Sequence, residues 1–140
     1  MREFGFLRLT AATPSCRVAD VVHNAAAILV QYQEVAQAGS ALAVFPELCL
    51  TGYTCGDLFQ QSTLRRGALS GLAAILAGSA DLNTLAVVGL PLEKDGALYN
   101  CAAVIQRGQV LGVVPKQNIP NYGEFYELRH FTPADGSANG

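Results

Sequence analysis

The chain has 140 residues, of which 51% are apolar and 14% charged, and nine basic against eleven acidic side chains leave a net charge of −2. This composition excludes a disordered or acidic low-complexity segment, and it offers no electrostatic handle for nucleic acid or an anionic membrane. So little charge is lean for a domain this small, which has proportionally more surface to solvate, and it suggests a chain that is part of something larger.

Phe4 to Ala12 reads as a strand. From Asp20 to Ala38 the apolar residues Val21, Ala25, Ile28, Leu29, Tyr32, Val35 and Ala36 fall at helical spacing, with Asp20 as N-cap and Gly39 as the stop. Ala41 to Phe45 is all apolar, as expected of a parallel strand covered on both faces, and Pro46 ends it. A loop rich in Gly and Thr follows, Glu47 to Gln61. Ser62 then caps a second predicted helix carrying Leu64, Ala68, Leu69, Leu72, Ile75 and Leu76, which Gly78 closes. Leu85 to Leu90 reads as a buried strand, and Lys94-Asp95-Gly96 as a turn. Leu98 to Gln106 and Gln109 to Val114 form a hairpin about Arg107-Gly108. The order β-α-β-α-β-β-β predicts an α/β fold whose sheet is parallel early and antiparallel late.

The N-terminal residues lack the pattern of a signal peptide, and no apolar run approaches the ~18–20 residues of a membrane span. Cys16, Cys49, Cys55 and Cys101 form no regular framework and read as buried free thiols. A cytoplasmic protein is expected. Cys49 and Cys55 lack a metal-ligand spacing, and His23 and His130 lie far off, so no metal site is expected. No P-loop is present for direct ATP binding. His23 reads as a helix-surface or packing residue.

Ligands of open α/β sheets bind beyond the carboxyl ends of strands. Glu47 follows one strand through Pro46, and Lys116 follows another through Pro115. A carboxylate at the mouth of an apolar strand suits a general base, and a nearby lysine can stabilise an oxyanion. From spacing alone, the more common case of such residues is a solvated strand-end charge.

The surrounding segments bear on that choice. Phe45-Pro46-Glu47-Leu48-Cys49-Leu50-Thr51-Gly52-Tyr53 resembles the glutamate motif of the nitrilase, or carbon–nitrogen hydrolase, superfamily. The segment from Pro115-Lys116-Gln117 through Asn121-Tyr122-Gly123-Glu124-Phe125-Tyr126-Glu127 resembles its lysine motif. Val87-Val88-Gly89 and Leu98 to Ile105 match the pattern between them. Gly52-Tyr53-Thr54-Cys55-Gly56-Asp57-Leu58-Phe59 resembles, more narrowly, the N-terminal glutaminase domain of glutamine-dependent NAD synthetases.

The resemblance implies a four-layer α-β-β-α sandwich of which residues 1–140 are only the N-terminal part. It implies a glutaminase that passes ammonia to a C-terminal synthetase domain, where ATP and magnesium activate deamido-NAD. No cofactor is implied for this chain itself. Homo-oligomers are implied for the full-length protein.

By position, Glu47 matches the general base, Lys116 the lysine stabilising the tetrahedral intermediate, and Glu127 a second glutamate beside it. Tyr122 matches a tyrosine that contacts glutamine, and Tyr53 one that lines the pocket. Tyr53 and Tyr122 are also readable as loop aromatics packed on the core, and Glu127 as a surface partner of Arg129.

The family's mechanism needs a cysteine nucleophile well after the lysine motif, and no cysteine follows Cys101. Cys49 and Cys55 do not stand in that context, so the nucleophile is not expected in this chain, and the chain alone is expected to be inactive. A stand-alone nitrilase-type amidase or carbamoylase is a competing reading, as is a non-catalytic α/β binding or assembly module.

Overall fold

The computed structural model describes residues 5–135. Its elements in chain order are β1 (Leu9–Ala11), α1 (Val21–Gln37), β2 (Leu42–Val44), α2 (Ser62–Gly78), β3 (Leu85–Lys94), β4 (Ala97–Gln106) and β5 (Gln109–Pro115). Short 3-10 turns occupy Gly56–Gln60 and Glu127–Arg129. The five strands form one sheet in sequence order. β1, β2 and β3 pair in parallel, and β3, β4 and β5 pair antiparallel. This is the mixed α/β sheet expected from the sequence.

Two βαβ crossovers join β1, β2 and β3, and both helices lie together on one face of the sheet. There Ile28, Tyr32, Leu72 and Ile75 pack with Ala43, Ala86, Val88 and Ile105 in a single apolar core. Asp20 caps α1 by accepting from the backbone N–H of His23 at 3.1 Å. The buried Tyr32 hydroxyl donates to the carbonyl of Thr84, just before the central strand β3, at 2.6 Å. Both hairpins turn on residue pairs with positive φ, Asp95-Gly96 and Arg107-Gly108, whose twist matches the strands they join.

Several local expectations are corrected. The first strand spans only Leu9–Ala11; Phe4 lies outside the described residues, while Phe6 and Leu7 are exposed and precede the strand. Gln61 rather than Ser62 holds the N-cap position of α2, and no side-chain bond caps that helix. β3 runs four residues past Leu90, because its long pairing with β4 holds it extended to Lys94. Leu42–Val44 is not covered on both faces, since Val44 is 42% exposed. The helices cover one side only. On the other side Ala11, Val44, Val87, Val104 and Gly112 form a row across all five strands, and none of them is buried.

The first part of the Gly- and Thr-rich loop after Glu47 is packed inward, while Tyr53, Thr54 and Gly56 to Leu58 face outward. Leu48, Cys49, Leu50, Thr51 and Cys55 are all buried. All four cysteines are free, but Cys16 is exposed, contrary to expectation. Burial pushes the Cys49 and Cys101 thiols up to about 11 and raises Cys55 as well. Two units mean about a hundredfold less thiolate, on top of the lack of access. Brief iodoacetamide treatment mapped by peptide mass spectrometry should therefore label Cys16 at least about tenfold faster than Cys49, Cys55 or Cys101. Equal labelling of Cys49 would show that the segment following Glu47 is not packed as described.

Candidate active site

Glu47 is positioned by the backbone on either side of it. The Phe45 N–H continues the β2–β3 pairing to the Val87 carbonyl at 3.0 Å. The chain then turns sharply, with Leu48 in the left-handed region at φ 52° and the Cys49 N–H bonded to the Pro46 carbonyl at 3.2 Å. Leu48 is driven inward and fully buried, which leaves the Glu47 side chain on the open side, 42% exposed. The turn passes directly over Gly89 of β3, where a Cβ would lie 2.4 Å from the Leu48 nitrogen.

Lys116 leaves β5 after Pro115, and its N–H bonds to the Asn100 carbonyl at 2.8 Å. Glu127 opens the second 3-10 turn. That turn is anchored by Phe131, buried edge-on against Phe59 at 4.9 Å, and by the Thr132 N–H on the Leu98 carbonyl at 2.8 Å. The Ala134 N–H reaches the Lys116 carbonyl at 3.1 Å. The tail is thus stitched to both strands that flank the lysine.

The three charges meet. Lys116 Nζ donates to Glu47 Oε1 at 2.7 Å and to Glu127 Oε2 at 3.0 Å. The Glu127 side chain is only 7% exposed, so its charge is held by the lysine rather than by water. On its other side the Tyr53 hydroxyl donates to Glu127 Oε1 at 2.7 Å. Burial, that hydrogen bond and the surrounding carboxylates all raise the Tyr53 pKa, so the phenol stays a donor. Burial alone would lower the Lys116 pKa, but its hydrogen bonds to Glu47 and Glu127 outweigh this and raise it. The ammonium is a fixed positive charge between two carboxylates, at the sheet end where ligands of such folds bind.

The sequence comparisons agree with this geometry. The carbon–nitrogen hydrolase family matches residues 8–138. The chain belongs to that family. It is 44% identical over 134 residues to the glutamine-dependent NAD(+) synthetase of Mycobacterium tuberculosis, covering 96% of this chain and 20% of that protein. It is 37% identical over 125 residues to the Aquifex aeolicus protein of the same name, covering 89% and 22%. The match falls on the N-terminal region of these enzymes, so the chain spans about a fifth of their length.

Two solved structures carry the same fold. A glutamine-dependent NAD(+) synthetase from Cytophaga hutchinsonii superposes with a TM-score of 0.87 at 31% identity, over 94% of this chain and 22% of that one. An amidase from Nesterenkonia sp. does so with 0.73 at 25%, over 92% and 48%. The fold is therefore the N-terminal portion of a nitrilase-type α/β architecture.

Of the residues singled out in this carbon–nitrogen hydrolase sequence, Glu47, Lys116 and Glu127 come together directly, and Tyr53 joins them through Glu127. Arg129 does not pair with Glu127; it grips Asp57 through two bonds of 2.9 and 3.2 Å. Tyr122 is 72% exposed, stacks edge-on with Phe125 and shares a shallow groove with Lys116, so it stands at the rim. Every hydrogen bond given by a thiol in the described residues ends on a backbone carbonyl, and none reaches Glu47 or Lys116. His23 contacts Ser15 at 3.2 Å, on the side of α1. Sequence reasoning missed Asn100, which donates to Glu47 Oε1 at 2.5 Å. A polar residue at a buried position of an otherwise apolar strand was the available signal.

Proposed function

We propose that residues 1–140 are the N-terminal part of a glutaminase domain in a glutamine-dependent NAD synthetase. Glu47 is the general base, Lys116 stabilises the oxyanion of the tetrahedral intermediate, and Glu127 holds the lysine in place. Tyr122 at the rim contacts the substrate glutamine. The cysteine nucleophile comes from the part of the domain beyond this chain, so residues 1–140 alone hydrolyse no glutamine. The ammonia released passes to a C-terminal synthetase domain, which uses ATP and magnesium to amidate deamido-NAD; no residue of this chain is assigned to either. The protein acts in the cytoplasm as a homo-oligomer.

The observation carrying this reading is the lysine held at 2.7 and 3.0 Å between two carboxylates, in a chain so similar to the synthetases. An ammonium fixed in this way is preorganised for negative charge that develops in the transition state. A base held beside it is set to take a proton from a nucleophile.

The test uses the full-length parent protein with glutamine labelled by 15N in its amide. Label should appear in the carboxamide of NAD when deamido-NAD and ATP are supplied. Hydrolysis of simple amides with no ATP-dependent product would favour a stand-alone amidase. No amide hydrolysis at all would favour a binding module.

A further inference from the structure

A buried polar side chain in the middle of a sheet is retained at a cost unless it is hydrogen-bonded. Asn100 is 4% exposed, in β4, between Tyr99 and Cys101. Cys101 pairs with Pro115, and the Lys116 N–H bonds to the Asn100 carbonyl, so Asn100 and Lys116 lie side by side across β4 and β5. Residues opposite one another on paired strands share a face. Strand pairing thus aims two donors at one point, and Glu47 Oε1 occupies it. The Asn100 amide donates to Oε1 at 2.5 Å and Lys116 Nζ at 2.7 Å. Among the described residues, Glu47 Oε2 accepts no hydrogen bond from the protein.

Glu47 Oε1 therefore carries two donors, one of them charged, and Oε2 carries none among the described residues. Donors that stabilise a carboxylate oxygen reduce its basicity. The amide orientation follows from the same chemistry, because turning it would set its carbonyl oxygen against a carboxylate oxygen.

We propose that Asn100 is a positioning residue that pins Glu47 Oε1 and leaves Oε2 as the proton-accepting oxygen of the base. This rests on the glutaminase reading given above. In the first step the S–H bond of the cysteine nucleophile breaks, an Oε2–H bond forms, and the sulfur keeps the electron pair. Asn100 touches neither substrate nor nucleophile. It acts by fixing which oxygen of Glu47 faces the thiol. An aspartate at this position would crowd a third carboxylate against Glu47 and Glu127 around a single lysine.

The test compares N100D with N100L in the full-length protein. Aspartate matches asparagine in shape but loses the donor and adds a like charge. Leucine loses the donor and adds no charge. The expected order of kcat for glutamine hydrolysis is wild type, then N100L about tenfold lower, then N100D about a hundredfold lower, with KM within about threefold. A purely structural role predicts instead that the loss of rate follows the loss of thermal stability in both variants, with KM rising as the site distorts. Thermal unfolding of each variant reports that the domain carrying Asn100 is folded, and if N100D fails that control the kcat and KM of N100L decide.

The inference is overturned if N100D is the milder variant, if N100L keeps wild-type kcat, or if KM rises while kcat holds. A wild type that hydrolyses aliphatic amides but not glutamine overturns the substrate reading, and the same comparison is then made on those amides. A wild type that hydrolyses neither overturns both.

Discussion

Glu47→Gln in the full-length protein should lower glutamine-dependent NAD formation by about a thousandfold, while synthesis from ammonia stays within about twofold. The substitution keeps the size of the side chain and leaves a carbonyl oxygen that can accept from both Asn100 and Lys116. Lys116 also keeps its bond to Glu127 at 3.0 Å. The frame of the site therefore survives and only the proton acceptor is lost. Paired assays with glutamine and with ammonia on one enzyme preparation provide the check. If both activities fell together, the loss would not be confined to glutamine hydrolysis and the role given to Glu47 would be wrong. If neither fell, Glu47 would be a solvated strand-end charge after all.

The second large effect is expected at a residue with no side chain. A Cβ on Gly89 would stand 2.4 Å from the Leu48 nitrogen, 2.7 Å from the Pro46 carbonyl oxygen and 3.0 Å from the Glu47 carbonyl carbon. All three atoms are backbone, so no rotamer change can make room. Gly89→Ala must lift the Glu47 turn off β3 and strain the Leu50 N–H bond to the Gly89 carbonyl, 3.2 Å long here. Overpacking of this kind costs about 1–3 kcal/mol, and moving the base by about 1 Å can cost a hundredfold in rate. We expect lower thermal stability together with glutaminase activity reduced at least about a hundredfold. Gly112→Ala is the matched control. Within residues 1–140 it adds a methyl group to the same sheet with nothing within 4 Å and should change the stability of that chain by less than about 0.5 kcal/mol. Equal behaviour of the two variants would refute the close passage over Gly89.

Much of this architecture was legible in the sequence because it rests on local signals. Helical spacing from Val21 to Ala36, the Asp20 cap and the Gly-containing hairpin turns each act over a few residues. Pro46 and Pro115 marked where strands end and charges begin, which located Glu47 and Lys116. What was hidden depends on contacts distant in sequence. The segment after Glu47 has the composition of a loop, yet its first residues, Leu48 to Gly52, are buried where the chain turns over Gly89. Glu127 reads as equally able to pair with Arg129 until Phe131 and Thr132 dock and turn it toward Lys116. Tyr53 does line a cleft, with Phe59 and Tyr126, but the bond from its hydroxyl to Glu127 was not legible. Asn100 gives no motif of its own; only the register of β4 against β5 shows that it faces Glu47.

The bonds that make the site also join some of the most distant parts of the sequence. Lys116 and Glu47 are 69 residues apart, and Tyr53 and Glu127 are 74. Helices and hairpins form early because their contacts are local, whereas closures of this length wait until the intervening strands are in register. A chain with both helices and both hairpins in place still has no base beside its lysine. The bond between Glu47 and Lys116 is therefore expected late in folding, once the sheet has been completed from β2 through β5.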